Sequence, residues 1–600
     1  MAEKVKIKII YPDGTAYEYW TFKGVNLWHS MAAHGIDAAG SCSGRGTCGK
    51  CKVRITGLVN PLSDSEREYL LAEEIKMGER LACYCYINEA VEVYLHYGDF
   101  DSDIKTKLFQ QIAQYHLRPR VELRRIFIPG LDKDIPVPLQ RRLSEALPGL
   151  LLQLNSSNWN ELSSLDRVGR PALELYSLIF DQQLVKAVGR EEESVYGIAL
   201  DIGSTSLFAA LINLQDGKAR AMASNTNMQR VYGADVISRI SYCLDNPDGM
   251  AQLNQVLLNN INTMVEELIR EAEITPADLY EFAVVGNPVM LHFLLGINPS
   301  GFATTPYSGV FIDEMNFRAG DLGLSTSEDA RVYILPQAGG FIGADIIGGL
   351  LTLTTRNTGT YLFIDIGTNG EVVLGKEGQF WAVSAAAGPA FEGGGISSGA
   401  RAGVAIIDRV DLDSDSKLQY HIPGGKVAHG ICGSAIIDLM ACMLKLGYID
   451  EKGIISATAI DELNTRDSER GREIVLGGSQ TSNPLVLNQE DIRQLQLAKA
   501  ALRTAIDIVM EEAEVSYQQL EHIYMAGAFG SYINPENAML IKMIPPVERT
   551  KIVNIGNVAA QGAVLTLLAT DKRREARNLQ SRIKCLELAH YHDFQEKFIN

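Results

Sequence analysis

Four cysteines in this chain have the spacing to act as one chemical unit. Cys42, Cys48 and Cys51 sit in GSCSGRGTCGKCKV, and Cys83 sits in RLACYC. Five residues separate the first pair, two the second, and thirty-one lie between Cys51 and Cys83. Three thiolates on a tight loop and a fourth at a distance suit a 2Fe–2S cluster. Soft sulfur binds iron, and four ligands complete two tetrahedral irons. Gly44, Gly46 and Gly49 permit a loop that turns backbone amides toward the cluster sulfurs. A zinc site would pair its cysteines as two close knuckles, and this arrangement is three plus one.

A second set of residues points to phosphate chemistry. SVYGIALDIGSTSLFAALINLQDGKARAMASN has a counterpart in TYLFIDIGTNGEVVLGKEGQFWAVSAA. Each is an apolar strand ending in Asp-Ile-Gly, a hydroxyl residue, a second strand, a glycine turn and a third strand. Such a repeat implies two like subdomains facing each other. Gly203 and Gly367 let backbone amides approach phosphate oxygens, and Ser204, Thr205, Thr368 and Asn369 add hydrogen bonds. Asp201 and Asp365 can hold Mg2+ directly or through water. FEGGGISSGARAG offers Gly393 and Gly394 to a phosphate chain. In HGICGSAIID, Gly433 and Ser434 open a helix. In AGAFGSYINP, the turn from Gly527 to Gly530 can lie flat against an adenine or ribose, with Asn534 and Pro535 starting the next helix.

The elements that must position these groups are legible around them. KVKIKIIYPDGTAYEYWTF is strand, turn and strand, with Asp13-Gly14 at the turn. NLWHSMAAHG is a short helix with Leu27, Met31 and Ala32 on one face, ending at Gly35. AVEVYL closes the unit as a strand. This resembles the β-grasp ferredoxin family, with a cysteine spacing similar to its adrenodoxin-type branch. The resemblance implies an Arg-Leu-x-Cys pattern for the last ligand, which selects Cys83. Cys85 would share its face if the segment were a strand, and reads as a small buried residue.

Six hundred residues exceed one core, and about 150 residues per domain gives about four. The expected division is a 2Fe–2S ferredoxin-type domain over 1–96, a linker over 97–118, a small middle domain over 119–193 and a two-lobed ATP-binding domain over 194–600. The middle segment reads as a strand at VELRRIFI and amphipathic helices around PLQRRLSEALPGLLLQL and PALELYSLI. NSSNWNELSS between them reads as a loop or capping region. A formal charge of −18 argues against nucleic acid, since phosphate binding needs a basic surface. No stretch approaches the roughly 20 apolar residues of a membrane span. The start is already a strand and offers no signal peptide. Cys243, Cys432, Cys442 and Cys585 are scattered and read as reduced core thiols, so the expected compartment is cytoplasmic.

Ordered along the chain, the glycine loops resemble the actin/Hsp70/sugar-kinase superfamily of two-lobed (RNase H-like) nucleotide-binding domains. The resemblance implies a first phosphate loop, a second phosphate loop and then an adenosine loop. The long helix from Asn488 fits between the last two. No GxxxxGK[ST] element is present, so this is not a Walker-type ATPase. Asp345 in FIGADIIGG and Asp235 in YGADVISR are the obvious candidates for a kinase base, and structural or hydrolytic roles fit them as well. His292 in GNPVMLHFLLG reads as a packed histidine.

Simple electron carriers need no ATP, so joining these two units poses an energetic question. A plant-type 2Fe–2S centre lies at about −400 mV. An acceptor lower by roughly 100–200 mV costs about 2–5 kcal/mol per electron, which nucleotide turnover can cover. With CSGRGTCGKC, LDIGSTS, GNPVMLHFLLG, FIDIGTNGE, AGPAFEGGGI, HGICGSAIID and AGAFGSYINP, the chain resembles the reductive activators of corrinoid proteins over nearly its whole length. The resemblance implies ATP-dependent one-electron transfer from the cluster to Co(II) of a bound corrinoid protein. Co(I) results, for anaerobic methyl transfer. It also implies a low-potential electron donor and a homodimer. Two other readings are a cluster-controlled ATPase switch that remodels a partner, and a small-molecule kinase with a fused ferredoxin domain.

Overall fold

A computed structural model describes all residues except 1–3, 11–15, 34–35, 37–45, 47–48, 50, 68, 71, 96–116, 133, 135, 167–171, 182, 189–193, 328, 354–358, 401–404, 424–426, 469–470, 477–483, 528–532, 592–593 and 600. The Asp13-Gly14 turn, Gly35 and most of the 97–118 segment therefore lie outside the described residues.

Alternation builds the first sheet. In KVKIKII every second residue is apolar, and Val5, Ile7 and Ile9 turn inward. Lys4–Ile10 pairs antiparallel with Ala16–Phe22 and parallel with Val91–Leu95. Lys52–Thr56 and Glu79–Leu81 complete five strands. Helix Leu27–Ala33 buries Leu27, Trp28 and Met31 in the same core, giving the β-grasp arrangement. That core also takes in Met228 and Val256 from the nucleotide-binding part of the chain.

The middle segment corrects the sequence reading in two places. PALELYSLI is not helical: Ala172–Phe180 is a strand, paired antiparallel with Val121–Pro129 over nine residues. Ala, Leu and Glu favour helices, but nine pairs of ladder partners override that preference. NSSNWNELSS holds a cap, as one of its two readings had it, but not a loop: the Asn155 side chain accepts from the Asn158 amide and starts the helix Ser156–Leu165. PLQRRLSEALPGLLLQL yields one short helix, Leu139–Ala146, and then the strand Leu151–Leu152. Val121, Leu178 and Phe180 at one end of the sheet enter the core of the nucleotide-binding part.

The repeat becomes two six-stranded sheets. In the first, Tyr196–Ile202, Ser206–Asn213 and Ala219–Thr226 form an antiparallel meander, and Leu279–Gly286 and Arg331–Ile334 add parallel to its first strand. In the second, Tyr361–Ile366, Gly370–Lys376 and Gln379–Ala385 form the meander, and His522–Ala526 and Ile552–Gly556 add in the same sense. Period two sorts the second sheet between cores. Phe363, Val373, Ala382 and Tyr524 join the core under the first sheet, while Leu362, Ile364, Val372 and Leu374 face another. Helix Val558–Leu568 follows the last of these parallel strands of the second sheet yet packs on Tyr196–Ile202 and Leu279–Gly286 of the first. Its neighbour is helix Ala344–Leu353. Their backbones nearly touch, since a Cβ on Gly562 would lie 2.2 Å from the Gly348 carbonyl. Among the described residues, no helix is long and apolar enough to cross a membrane.

Candidate active site and cluster site

The ferredoxin unit brings two sulfurs together. Cys51 immediately precedes the strand Lys52–Thr56, and Cys83 lies in the 3₁₀ turn Ala82–Tyr84. Their Sγ atoms are 3.2 Å apart, and both residues are buried. That separation exceeds the disulfide bond length of about 2.05 Å, so no disulfide joins the two sulfurs. The Ala82 amide donates to the Cys51 carbonyl at 2.8 Å, which fixes the pair. Arg80 and the fully buried Glu66 form a two-point pair at 2.7 and 2.8 Å, and Glu66 also accepts from the Leu81 amide at 2.9 Å. This clamps the strand leading to Cys83. Tyr84 Oη donates to the Gly46 carbonyl at 2.9 Å, tethering the cysteine loop at a residue with φ of +79°. Two adjacent thiols under a pinned loop fit an iron–sulfur cluster. Cys42, Gly44 and Cys48 lie outside the described residues. Because 82–84 is a 3₁₀ turn, the strand premise for Cys85 fails. Cys85 is wholly buried, and burial pushes its thiol up to about 12.

The two Asp-Ile-Gly loops meet tip to tip. Thr205 Oγ1 and Thr368 Oγ1 share a 2.7 Å hydrogen bond. Thr368 also donates to Glu392 Oε1 at 2.8 Å, bringing in the turn that carries Gly393 and Gly394. Gly433 opens the helix Gly433–Lys445 so close to this turn that a Cβ would lie 1.6 Å from the Phe391 carbonyl. Gly527, with φ of +89°, closes on the other side, where a Cβ would lie 2.6 Å from Asp365 Oδ1. Gly530 lies outside the described residues. The loop of Gly203, Ser204 and Thr205 thus meets the loop of Gly367, Thr368 and Asn369 at the two threonines, with the turn before Gly393 and the start of the Gly433 helix beside Thr368. Ser434 is different: it is buried and its hydroxyl lies 3.3 Å from the Asp408 carbonyl.

Burial pushes Asp201 up to about 6, offset in part by a 3.0 Å hydrogen bond from Asn557 Nδ2. Burial and the Asp201 charge push Asp365 up to about 7. Burial and the charges of Asp365 and Asp201 push Asp345 up to about 8. Glu371, the cross-strand partner of Asp365, is also raised well above the carboxylate range, by burial and then by Asp345 and Asp365. Four mutually repelling carboxylates in one cleft suit a divalent cation. Among the described residues, no three acidic, histidine or cysteine side chains converge closely enough to ligate an ion. Mg2+ usually binds through one or two carboxylates together with water and phosphate oxygens.

Several site residues escape sequence reasoning. Nothing in the sequence singles out Glu371, Glu392 or Asn557, and Asp345 stands out only as a candidate kinase base. Asn557 carries a signal, as a cap before an apolar helix, but nothing links it to Asp201. Asn227 and Arg239 support the first loop from behind. Asn227 Nδ2 donates to the Gly203 carbonyl at 2.8 Å, and Arg239 Nη2 to the Ser204 carbonyl at 2.6 Å. Asp235 caps its own helix and accepts from the Ser238 amide. His292 is wholly buried, with Nε2 accepting from the Val310 amide and Nδ1 against the Pro288 carbonyl, as a packed neutral imidazole.

Fold and site define the class: a two-lobed ATPase of the actin/Hsp70/sugar-kinase type carrying a 2Fe–2S ferredoxin domain. Sequence profiles agree along the chain. Residues 11–88 match the 2Fe-2S iron-sulfur cluster binding domain, 196–357 the RACo middle region, and 359–600 the C-terminal domain of RACo, the ASKHA domain. The corrinoid activation enzyme RamQ of Eubacterium limosum is 29% identical over 545 residues, 88% of each chain. The [Co(II) methylated amine-specific corrinoid protein] reductase of Methanosarcina barkeri is 26% identical over 61% of this chain and 68% of its own. The solved structure of a reductive activator for corrinoid, iron-sulfur protein superposes with a TM-score of 0.74 at 29% identity, covering 99% of this chain and 97% of that one. The chain belongs to the RACo family of reductive activators of corrinoid proteins.

Proposed function

We propose that this protein is an ATP-dependent reductive activator that delivers one electron to a corrinoid protein, taking its cobalt from Co(II) to Co(I) for methyl transfer. The observation that carries the reading is the joining of a buried thiol pair, 3.2 Å apart, and a facing pair of phosphate loops in one chain. When bound, a 2Fe–2S cluster supplies a one-electron carrier. Cys42, Cys48, Cys51 and Cys83 would hold it, and the burial of Cys51 and Cys83 keeps water from that side. Glycine amides of the two loops, with Ser204, Thr205 and Thr368, bind phosphate oxygens. Asp201 and Asp365 would hold Mg2+, which would neutralise phosphate charge when bound. Gly527 and Gly530 flank the adenosine. The upstream donor is a low-potential electron carrier, the active form a homodimer and the compartment the cytoplasm.

The test is anaerobic mixing of the reduced protein with corrinoid proteins, following the cobalt absorption with and without ATP. Co(I) formed only with ATP is the expected result. Phosphate release that responds to cluster oxidation state, with no Co(I), would replace the reading with a redox switch. A phosphorylated small molecule would replace it with a kinase.

A further inference from the structure

The turn behind the first phosphate loop has two faces. On one, Asn227 Nδ2 donates to the Gly203 carbonyl and the Asn227 amide to the Thr205 carbonyl, both at 2.8 Å. Asn227 is wholly buried, so neither bond has water to replace it. The next residue, Met228, is 2% exposed and belongs to the core of the ferredoxin domain. The turn Met228–Val231 packs on helix Leu27–Ala33. Val256, Val231 and Tyr232 extend this contact.

The N-terminus of that helix and the residue before it reach the backbone around Cys83. The Leu27 amide donates to the Cys85 carbonyl at 2.8 Å. Asn26 Nδ2 donates to the Cys83 carbonyl at 2.8 Å. The turn is anchored on its other side as well: the Met228 amide donates to Asn260 Oδ1 at 3.1 Å, and Gln229 Nε2 to the Leu253 carbonyl at 3.0 Å. A short, well-bonded turn thus stands between a loop built to hold phosphate and the helix beside Cys83.

We propose that Asn227 and Met228 are positioning residues that transmit the nucleotide state of the first phosphate loop to the ferredoxin domain. The inference rests on the nucleotide-binding reading above. A phosphate drawing on the amides of Gly203–Thr205 shifts the carbonyls behind them. Asn227 follows those carbonyls, and Met228 carries the displacement into the ferredoxin core, because close-packed interiors transmit strain. The helix then changes its seat against Cys83 and Cys85. ATP would in this way alter the cluster's surroundings without touching it.

Hydrogen–deuterium exchange on the full holoprotein tests this, with and without a non-hydrolysable ATP analogue and Mg2+. In wild type the analogue should slow exchange at 203–206, and also at 27–33 by about threefold or more. Met228→Ala should keep the slowing at 203–206 and lose it at 27–33. Met228→Leu, which conserves volume, should restore it. A merely structural Met228 would change exchange at 27–33 equally with and without nucleotide, and that result overturns the proposal. Slowing at 203–206 that never reaches 27–33 in wild type overturns it too, even if Met228→Ala fails to fold. No slowing at 203–206 removes the nucleotide-binding reading itself, and the proposal with it.

Discussion

Asp365→Asn should stabilise the nucleotide-free protein while disabling it. Asp365 is held at about 7 against an ordinary 3.8, by burial first and the Asp201 charge second. That difference of about three pH units corresponds to ~4 kcal/mol. The charges are shared with Asp201 and Asp345, so one substitution recovers less, about 2 kcal/mol. The sign follows from proton binding. Between 3.8 and about 7 the folded state holds more protons than the unfolded one, so wild-type stability falls as pH rises through that window. Asparagine removes the dependence. Its advantage should be small near pH 4 and grow to its full value above about pH 7, a rise of a few degrees in melting temperature. Thermal unfolding in chelator, at about pH 5 and about pH 8, reads it directly. ATP hydrolysis by the variant should fall at least about tenfold, ~1.4 kcal/mol in barrier. Co(I) formation should fall with it, while iron content stays unchanged. An equal gain at both pH values, or a loss at the higher one, refutes the repulsion argument. Full Co(I) formation without hydrolysis refutes the coupling.

Three further outcomes are expected. Anaerobically purified protein should hold about two irons per chain, lost in Cys48→Ser and Cys83→Ser but kept in Cys85→Ser; iron analysis and visible absorption check this. Gly527→Ala forces a φ of +89° on a residue with a Cβ and drives it within 2.6 Å of Asp365 Oδ1, so ATP hydrolysis should drop by at least about tenfold in steady-state assays with cluster content intact. A fragment beginning at residue 194 loses Val121, Leu178 and Phe180 from its core, so it should melt lower than one beginning at residue 117; calorimetry of both decides.

The parts of the fold that are legible in sequence are those where local pattern and global role agree. KVKIKII alternates because one face is buried, and the Asp-Ile-Gly meanders announce themselves by recurring. PALELYSLI misleads because its residues favour a helix and only the ladder with Val121–Pro129 makes it a strand. The site divides in the same way. Thr205 and Thr368 sit in motifs that sequence can compare, and the structure brings them within 2.7 Å. Asn557 reaches Asp201 across 356 residues of chain, and Glu371 meets Asp365 only through strand pairing. Such meetings are products of topology, and no window of sequence contains them.

The contact between Gly348 and Gly562 has a mechanical consequence. Helices Ala344–Leu353 and Val558–Leu568 lie backbone against backbone there, and beside the contact the Val558 side chain lies over Gly349. With glycines at the contact, the two helix axes come closer than side chains at that point would allow. The second of these helices emerges from one sheet and lies on the other, so it ties the two lobes together. A side chain at Gly562 would meet the Gly348 carbonyl and lift this tie off its seat.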